Sequence, residues 1–190
     1  VNNVIAGLGA DIINVGGGRN FVHGDEGRLE VLVDGSDETL ISTLNATAGT
    51  PDDMDEIEIG AGFNVVVGGA AKDVIDVKGT AVDARSSIIG DNGKITLQTS
   101  SSDLLSIESS DFDFGDKDLI TLTAGTNVVI GGAGEDEITS QAGNNTILGD
   151  EGRLEFLDKV ELRVMQYINL GKGVDGILSL SDSEINVIAD

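Results

Sequence analysis

The chain has 190 residues, a net charge of −23, 27 glycines, one proline and no cysteine. Disulfide staples and thiolate metal centres are thereby excluded, and 11 scattered Lys and Arg disfavour nucleic acid as a partner. No apolar run is long enough to cross a membrane as a helix, and the Val, Ile and Leu content is too high for a disordered acidic tail.

The predicted elements recur every nine residues, each a Gly/Asp turn followed by a short apolar strand. The clearest unit, Gly131-Gly132-Ala133-Gly134-Glu135-Asp136-Glu137-Ile138-Thr139, fits G-G-x-G-x-D-x-U-x, where U is a large apolar residue. In chain order, the sixth positions of the first copy are Asn2, Asp11, Asn20 and Leu29. Those of the second are Asp55, Asn64, Asp73, Ser86 and Ile95, with four extra residues before Ser86. The third copy has Asp118, Asn127, Asp136, Asn145 and Leu154, and the chain closes on Asp175 and Asn186. A longer period therefore lies above the nine: Asp11 to Asp73 spans 62 residues and Asp73 to Asp136 spans 63. We read one domain, 1–190, with large repeats at about 1–49, 50–112 and 113–169 and the start of another at 170–190.

All sixteen placeable eighth positions are apolar, from Val4, Ile13, Val22 and Val31 through Leu97 and Phe156 to Ile177 and Ile188. They are expected to fill a narrow space between two sheets, with position seven facing outward and free to vary. If two units make one turn of a coil, units two apart stack. Aspartates then line one edge and asparagines the other, the latter as an amide ladder. The stretches after Gly24-Asp25, Gly90-Asp91 and Gly149-Asp150 alternate polar and apolar residues and read as hairpins or extended strands. Each linker is expected to stand in for a half-coil on the Asn edge. Val160, Leu162 and Val164 make 157–168 a strand rather than a helix.

Glycines at positions one, two and four permit positive φ and bring carbonyl oxygens inward. Asp at position six adds a carboxylate, and two stacked turns supply the six to eight oxygens that calcium takes at about 2.3–2.6 Å. The candidate ligands are Asp55 with Asp73, and Asp118 with Asp136, followed by Asp11 and Asp175, and then Asp25, Asp91 and Asp150. Asp52, Asp53, Asp111, Asp113 and Asp116 read as solvated acidic loops. The lone His23 reads as exposed, and Arg28, Lys94 and Arg153 as salt-bridge partners of the acidic edge.

These units resemble the hemolysin-type calcium-binding (RTX) nonapeptide repeats. The Gly131 unit matches strictly, whereas the Gly68 unit has Ala71 at its fourth position. The Gly143–Gly152 block resembles repeats of very large bacterial surface proteins. The resemblance implies an all-β fold: a right-handed parallel β-roll or β-helix solenoid with hairpin insertions. It also implies calcium as cofactor, secretion, and a place at the bacterial cell surface. Three functions are weighed: a non-enzymatic calcium-stabilised structural segment, an adhesin-type module contacting glycan or protein through its linkers, and a polysaccharide-active enzyme. Few aromatics and no basic cluster argue against the enzyme. The expected partners are adjacent repeats or copies of the chain stacked end to end.

Overall fold

Val and Ile are stiff at χ1 and favour extended backbone, and the intervening glycines end each run. The computed structural model describes residues 1–32, 37–44, 53–78, 84–111, 113–157, 161–167, 176–179 and 185–188, by backbone alone from 157 onward. The strands of the first half are β1 (Asn2–Ile5), β2 (Ile12–Val15), β3 (Gly18–His23), β4 (Gly27–Val31), β5 (Glu38–Thr43), β6 (Glu56–Ile59), β7 (Gly62–Val67), β8 (Val74–Val77) and β9 (Arg85–Ile89). The second half adds β10 (Gly93–Gln98), β11 (Leu104–Ser109), β12 (Leu119–Leu122), β13 (Thr126–Ile130), β14 (Glu137–Ser140), β15 (Asn144–Leu148), β16 (Gly152–Leu157), β17 (Glu161–Tyr167), β18 (Gly176–Ser179) and β19 (Ile185–Ile188). No helix occurs among the described residues, and β17 bears out the strand reading of its stretch.

The strands form three sheets. Sheet A is parallel, in the order β1-β3-β7-β9-β13-β15-β19. Sheet B is parallel, β2-β6-β8-β12-β14-β18. Sheet C is antiparallel, β4-β5-β10-β11-β16-β17. The chain alternates between A and B, so an A strand and the B strand after it make one rung. All-β, mostly parallel and alternating between two facing sheets, the architecture is consistent with a β-roll.

Register keeps like positions in columns. In sheet A, Val4, Val22, Val66, Ile88, Val129 and Ile147 are aligned, and in sheet B Ile13, Ile57, Ile75, Ile120 and Ile138. These eighth positions meet between A and B in one core, joined by Ile59, Val77 and Leu122. Each fully buried aliphatic side chain contributes about 1.5–3 kcal/mol by leaving water.

A second core lies on the other face of sheet A. There Phe21, Val65, Val67, Ile89, Ile130 and Leu148 pack against Ile41, Ile95, Leu97, Ile107 and Leu154 of sheet C. On sheet A position seven thus faces away from sheet B as expected, but sheet C covers it; on sheet B it stays outward and varies, from Ile12 to Glu56 and Glu137.

The linkers also differ from expectation. Each hairpin, β4–β5, β10–β11 or β16–β17, leaves the end of an A strand and returns to the start of the next B strand. It therefore lies within the aspartate-edge turn and is not a half-coil on the asparagine edge. The fifth unit reverses direction because its strand pairs antiparallel with its neighbours. Leu97 consequently fills the second core, Phe156 packs half-buried against it, and Val31 is 54% exposed.

One register prediction fails as well. Ile185 pairs with Asn145 and Val187 with Ile147, so Asn186 and Ile188 are one residue out of the expected columns.

Candidate metal centre

The edge where A strands give way to B strands carries the aspartates. Regular turns, Gly68-Gly69-Ala70-Ala71-Lys72-Asp73 and Gly131-Gly132-Ala133-Gly134-Glu135-Asp136, alternate with turns that contain a hairpin and end in Asp55 or Asp118. Gly132 and Gly134 adopt φ of 122° and 142°; Ala71 holds φ 76° where the repeat pattern calls for glycine.

Each aspartate directly precedes a B strand, and successive rungs hydrogen-bond through them. The N–H of Asp11 donates to Asp55 Oδ1 (2.8 Å), that of Asp55 to Asp73 Oδ1 (2.9 Å), that of Asp73 to Asp118 Oδ1 (2.8 Å), and that of Asp118 to Asp136 Oδ1 (2.9 Å). Stacking thus runs unbroken across the large repeats, where sequence pairing had joined only Asp55 to Asp73 and Asp118 to Asp136.

The ladder fixes Oδ1 and leaves Oδ2 for another purpose. Asp55, Asp73, Asp118 and Asp136 are at most 1% exposed. Asp73 Oδ2 and Asp118 Oδ2 are buried without a hydrogen-bond partner. They lie against a row of glycines: a Cβ at Gly68 would come within 2.6 Å of Asp73 Oδ2 and overlap the Gly90 carbonyl oxygen. A Cβ at Gly90 would overlap Asp118 Oδ2 and the Gly131 carbonyl oxygen, and one at Gly131 the oxygens of Asp136 and Gly149. Glycine is therefore required on this edge to let carboxylate and carbonyl oxygens approach one another.

Crowding of acids raises their pKa values. Asp55 is pushed up to about 7 by burial, opposed by the Asp11 N–H and reinforced by the charges of Asp25, Asp11 and Asp53. Asp73 is raised well above the carboxylate range by burial and then by Asp55 and Asp25. Asp118 is raised similarly by burial and by Asp91, Asp73 and Asp136, and Asp91 by burial and Asp136, against the Ala133 N–H. Asp25 is raised by burial, against the Ala70 N–H. A row of buried carboxylates that resists ionisation on its own fits a cation.

Among the described residues no three carboxylate or imidazole groups converge on one point. An ion on this edge would accordingly take carboxylate oxygens from Asp11, Asp55, Asp73, Asp118 or Asp136 and the rest from backbone carbonyls such as those of Gly24, Gly68, Gly90 and Gly131. Asp25, Asp91 and Asp150 sit on the same edge at the hairpin exits and are buried. The Gly149 carbonyl beside Asp150 accepts the Gly132 N–H at 3.0 Å, which puts this turn next to that of Asp136. Asp175 lies outside the described residues.

On the opposite edge the position-six side chains are uncharged. Asn2 Nδ2 donates to Asn20 Oδ1 (2.7 Å), Asn20 to Asn64 (2.8 Å) and Asn127 to Asn145 (2.9 Å), the amide ladder expected from the sequence. Ser86 interrupts it: Asn64 Nδ2 reaches Ser86 Oγ at 3.4 Å, and Asn127 Oδ1 is buried without a hydrogen bond.

Two further readings are corrected. His23 is fully buried, its Nε2 3.3 Å from Thr43 Oγ1, because sheet C covers this face of β3; burial lowers its pKa to about 4. Arg28 and Arg153 pair with Glu30 (2.6 Å) and Glu108 (2.8 Å), glutamates of sheet C, although each follows an edge turn by only a few residues. Asp111, Asp113 and Asp116 are exposed as expected, and Asp52 lies outside the described residues.

A search of curated proteins and one of solved structures returned no match. A family model described as the RTX calcium-binding nonapeptide repeat matches in four copies, over residues 1–28, 57–78 and 121–153. The matched stretches hold β1–β3, β7, β8 and β13–β15, whereas β9, β18, β19 and most of sheet C lie outside them. Repeats of this family bind Ca2+, and residues 1–28, 57–78 and 121–153 are the stretches in which the chain is similar to them.

Proposed function

We propose that this chain is a non-enzymatic, calcium-stabilised structural segment of a secreted bacterial surface protein, wound as a right-handed solenoid, with calcium on the aspartate edge alone. The supporting observation is the ladder from Asp11 to Asp136, whose buried Oδ2 atoms face glycine carbonyls. Bound calcium would supply the positive charge that these carboxylates lack. The chain's own part is to hold the carboxylates of Asp55, Asp73, Asp118 and Asp136 through a neighbour's N–H and to leave Oδ2 of Asp73 and Asp118 without a hydrogen bond. On the other edge Asn amides satisfy one another and offer no charge. Right-handedness follows from the general hand of parallel crossovers between twisted strands. The apolar face of the hairpin sheet is occupied by sheet A, so the hairpins thicken the segment.

The test is metal analysis of purified chain, with circular dichroism and melting in chelator and in millimolar calcium. Several equivalents of bound calcium and a large gain in melting temperature are expected. A spectrum and a melting temperature indifferent to calcium would overturn the proposal.

A further inference from the structure

Alternate turns of the aspartate edge differ at one position. Regular turns carry Gly68-Gly69 and Gly131-Gly132; the hairpin exits carry Gly24-Asp25 and Gly90-Asp91. Asp25 and Asp91 therefore stand where a glycine does in the family pattern, and both reach across to the next rung. Asp25 Oδ2 accepts the Ala70 N–H at 2.6 Å, and Asp91 Oδ2 accepts the Ala133 N–H at 2.5 Å.

Asp91 has a second oxygen to account for. It is 2% exposed, and its Oδ1 accepts no hydrogen bond of good geometry, the nearby Asp116 N–H only partly offsetting its burial. The strongest neighbouring charge on Asp118 is that of Asp91, and Asp118 Oδ2 is also without a partner. Two buried carboxylates on this edge thus repel one another, each with an oxygen poorly satisfied, which costs stability unless a cation offsets the charge.

The chain returning from the hairpin closes over this place. Asn92 Nδ2 donates to the Phe114 carbonyl at 2.9 Å, and the Phe114 N–H to the Asp111 carbonyl at 2.9 Å, with Asp111 at φ 57°. Gly115 lies so close that a Cβ there would come within 2.5 Å of Asp91 Oδ1. Phe114 and Gly115 are therefore folded onto the Asp91 turn, whose carboxylate oxygens face the return of the hairpin as well as the rung.

We infer that Asp91 serves a second kind of divalent-cation site, at which one calcium-class ion fastens the exit and return of its hairpin to the rung, and that Asp25 in the preceding repeat binds an ion in the same way at its hairpin's exit. This rests on the calcium reading above and adds to it. The sites between position-six aspartates order rungs. The hairpin-exit sites order sheet C relative to them, using Asp91 Oδ1 and Asp118 Oδ2 with backbone carbonyls and water as the remaining ligands.

The experiment uses the full chain, with calcium as the probe. Calcium stoichiometry comes from titration calorimetry, and hydrogen exchange is followed by mass spectrometry for wild type, Asp91→Asn and Asp25→Asn. Asparagine keeps an oxygen for the Ala133 N–H, so a purely turn-forming role survives the change. We expect Asp91→Asn to bind one ion fewer than wild type and to lose calcium-dependent protection across 110–117, while β8 keeps its protection. Should Asp91→Asn not fold in calcium, Asp25→Asn is read by stoichiometry, with one ion fewer expected. Unchanged stoichiometry, with 110–117 still slowed by calcium, overturns the inference and leaves the ladder sites standing. A wild-type chain that binds no calcium overturns both.

Discussion

Replacing Asp118 by asparagine should change stability with opposite sign in chelator and in calcium. The side chain is fully buried, and its Oδ1 accepts the Asp73 N–H at 2.8 Å. Asparagine can keep that bond, so the substitution removes charge and little else. Without metal, the charges of Asp91, Asp73 and Asp136 oppose ionisation of Asp118. At neutral pH the folded chain either holds a proton there or bears the repulsion. One pKa unit corresponds to about 1.4 kcal/mol, so removing the charge should stabilise the metal-free fold by roughly 1–3 kcal/mol, the scale of an uncompensated buried polar group. In a chain of this size, ~1 kcal/mol moves the melting temperature by about 2–4 °C. In calcium the variant loses a ligand. Abolishing one site costs about 2.7 kcal/mol when free calcium is a hundredfold above Kd. Melting followed by circular dichroism at pH 7.5, in chelator and in calcium, should therefore show Asp118→Asn above wild type in the first and below it in the second. A shift of the same sign in both conditions would refute the argument that this carboxylate is held for a cation.

Ser86→Asn should close the gap between Asn64 and Asn127 and raise the melting temperature by the equivalent of about 1 kcal/mol, one net hydrogen bond; a decrease would mean that the larger side chain overpacks the rung. Ala71→Gly should stabilise by about 0.5–1 kcal/mol, since Ala71 holds a left-handed φ of 76° that costs an L-residue about 1–2 kcal/mol; chemical denaturation checks this. The metal-free fold should gain stability on acidification. Asp55 titrates near 7 when folded and near the ordinary carboxylate value when unfolded, so the folded state binds more protons between those values. Stability in chelator should then fall as pH rises from about 4 to about 7, while in saturating calcium this window should flatten or invert, because protons and the ion compete; identical profiles would contradict it.

The rungs were legible because turn chemistry and burial carry separate signals with one period. Glycine and Asp mark the turn, the eighth position marks the inner core, and the split between Asp and Asn anticipates two edges of different chemistry. The third sheet was obscured by that same regularity. Ile95 and Leu154 continue the nine-residue count, so the count alone keeps them on the rungs, although their strands reverse into sheet C. A signal was present in Val65-Val66-Val67 and Val128-Val129-Ile130. Unbroken apolar runs mark strands covered on both faces, whereas β2, with Ile12 76% exposed and Ile13 buried, alternates. His23 follows from the same omission, because an outward position on sheet A means exposure only if nothing covers it. The carboxylate-to-N–H ladder across large repeats depends on how hairpins return to the edge, which local spacing does not encode.

The way sheet C is stitched together has a mechanical consequence. Its strands pair within hairpins and also between them, β5 with β10 and β11 with β16, so each hairpin grips the one about 63 residues further on. Rungs joined only by parallel pairing to the next rung could be peeled away singly from an end under tension. Here, peeling a rung that carries a hairpin also requires tearing that hairpin from its neighbour and stripping apolar surface from sheet A. The unit that yields to pulling is accordingly the large repeat, and a force–extension trace should show steps of that contour length in place of many small ones.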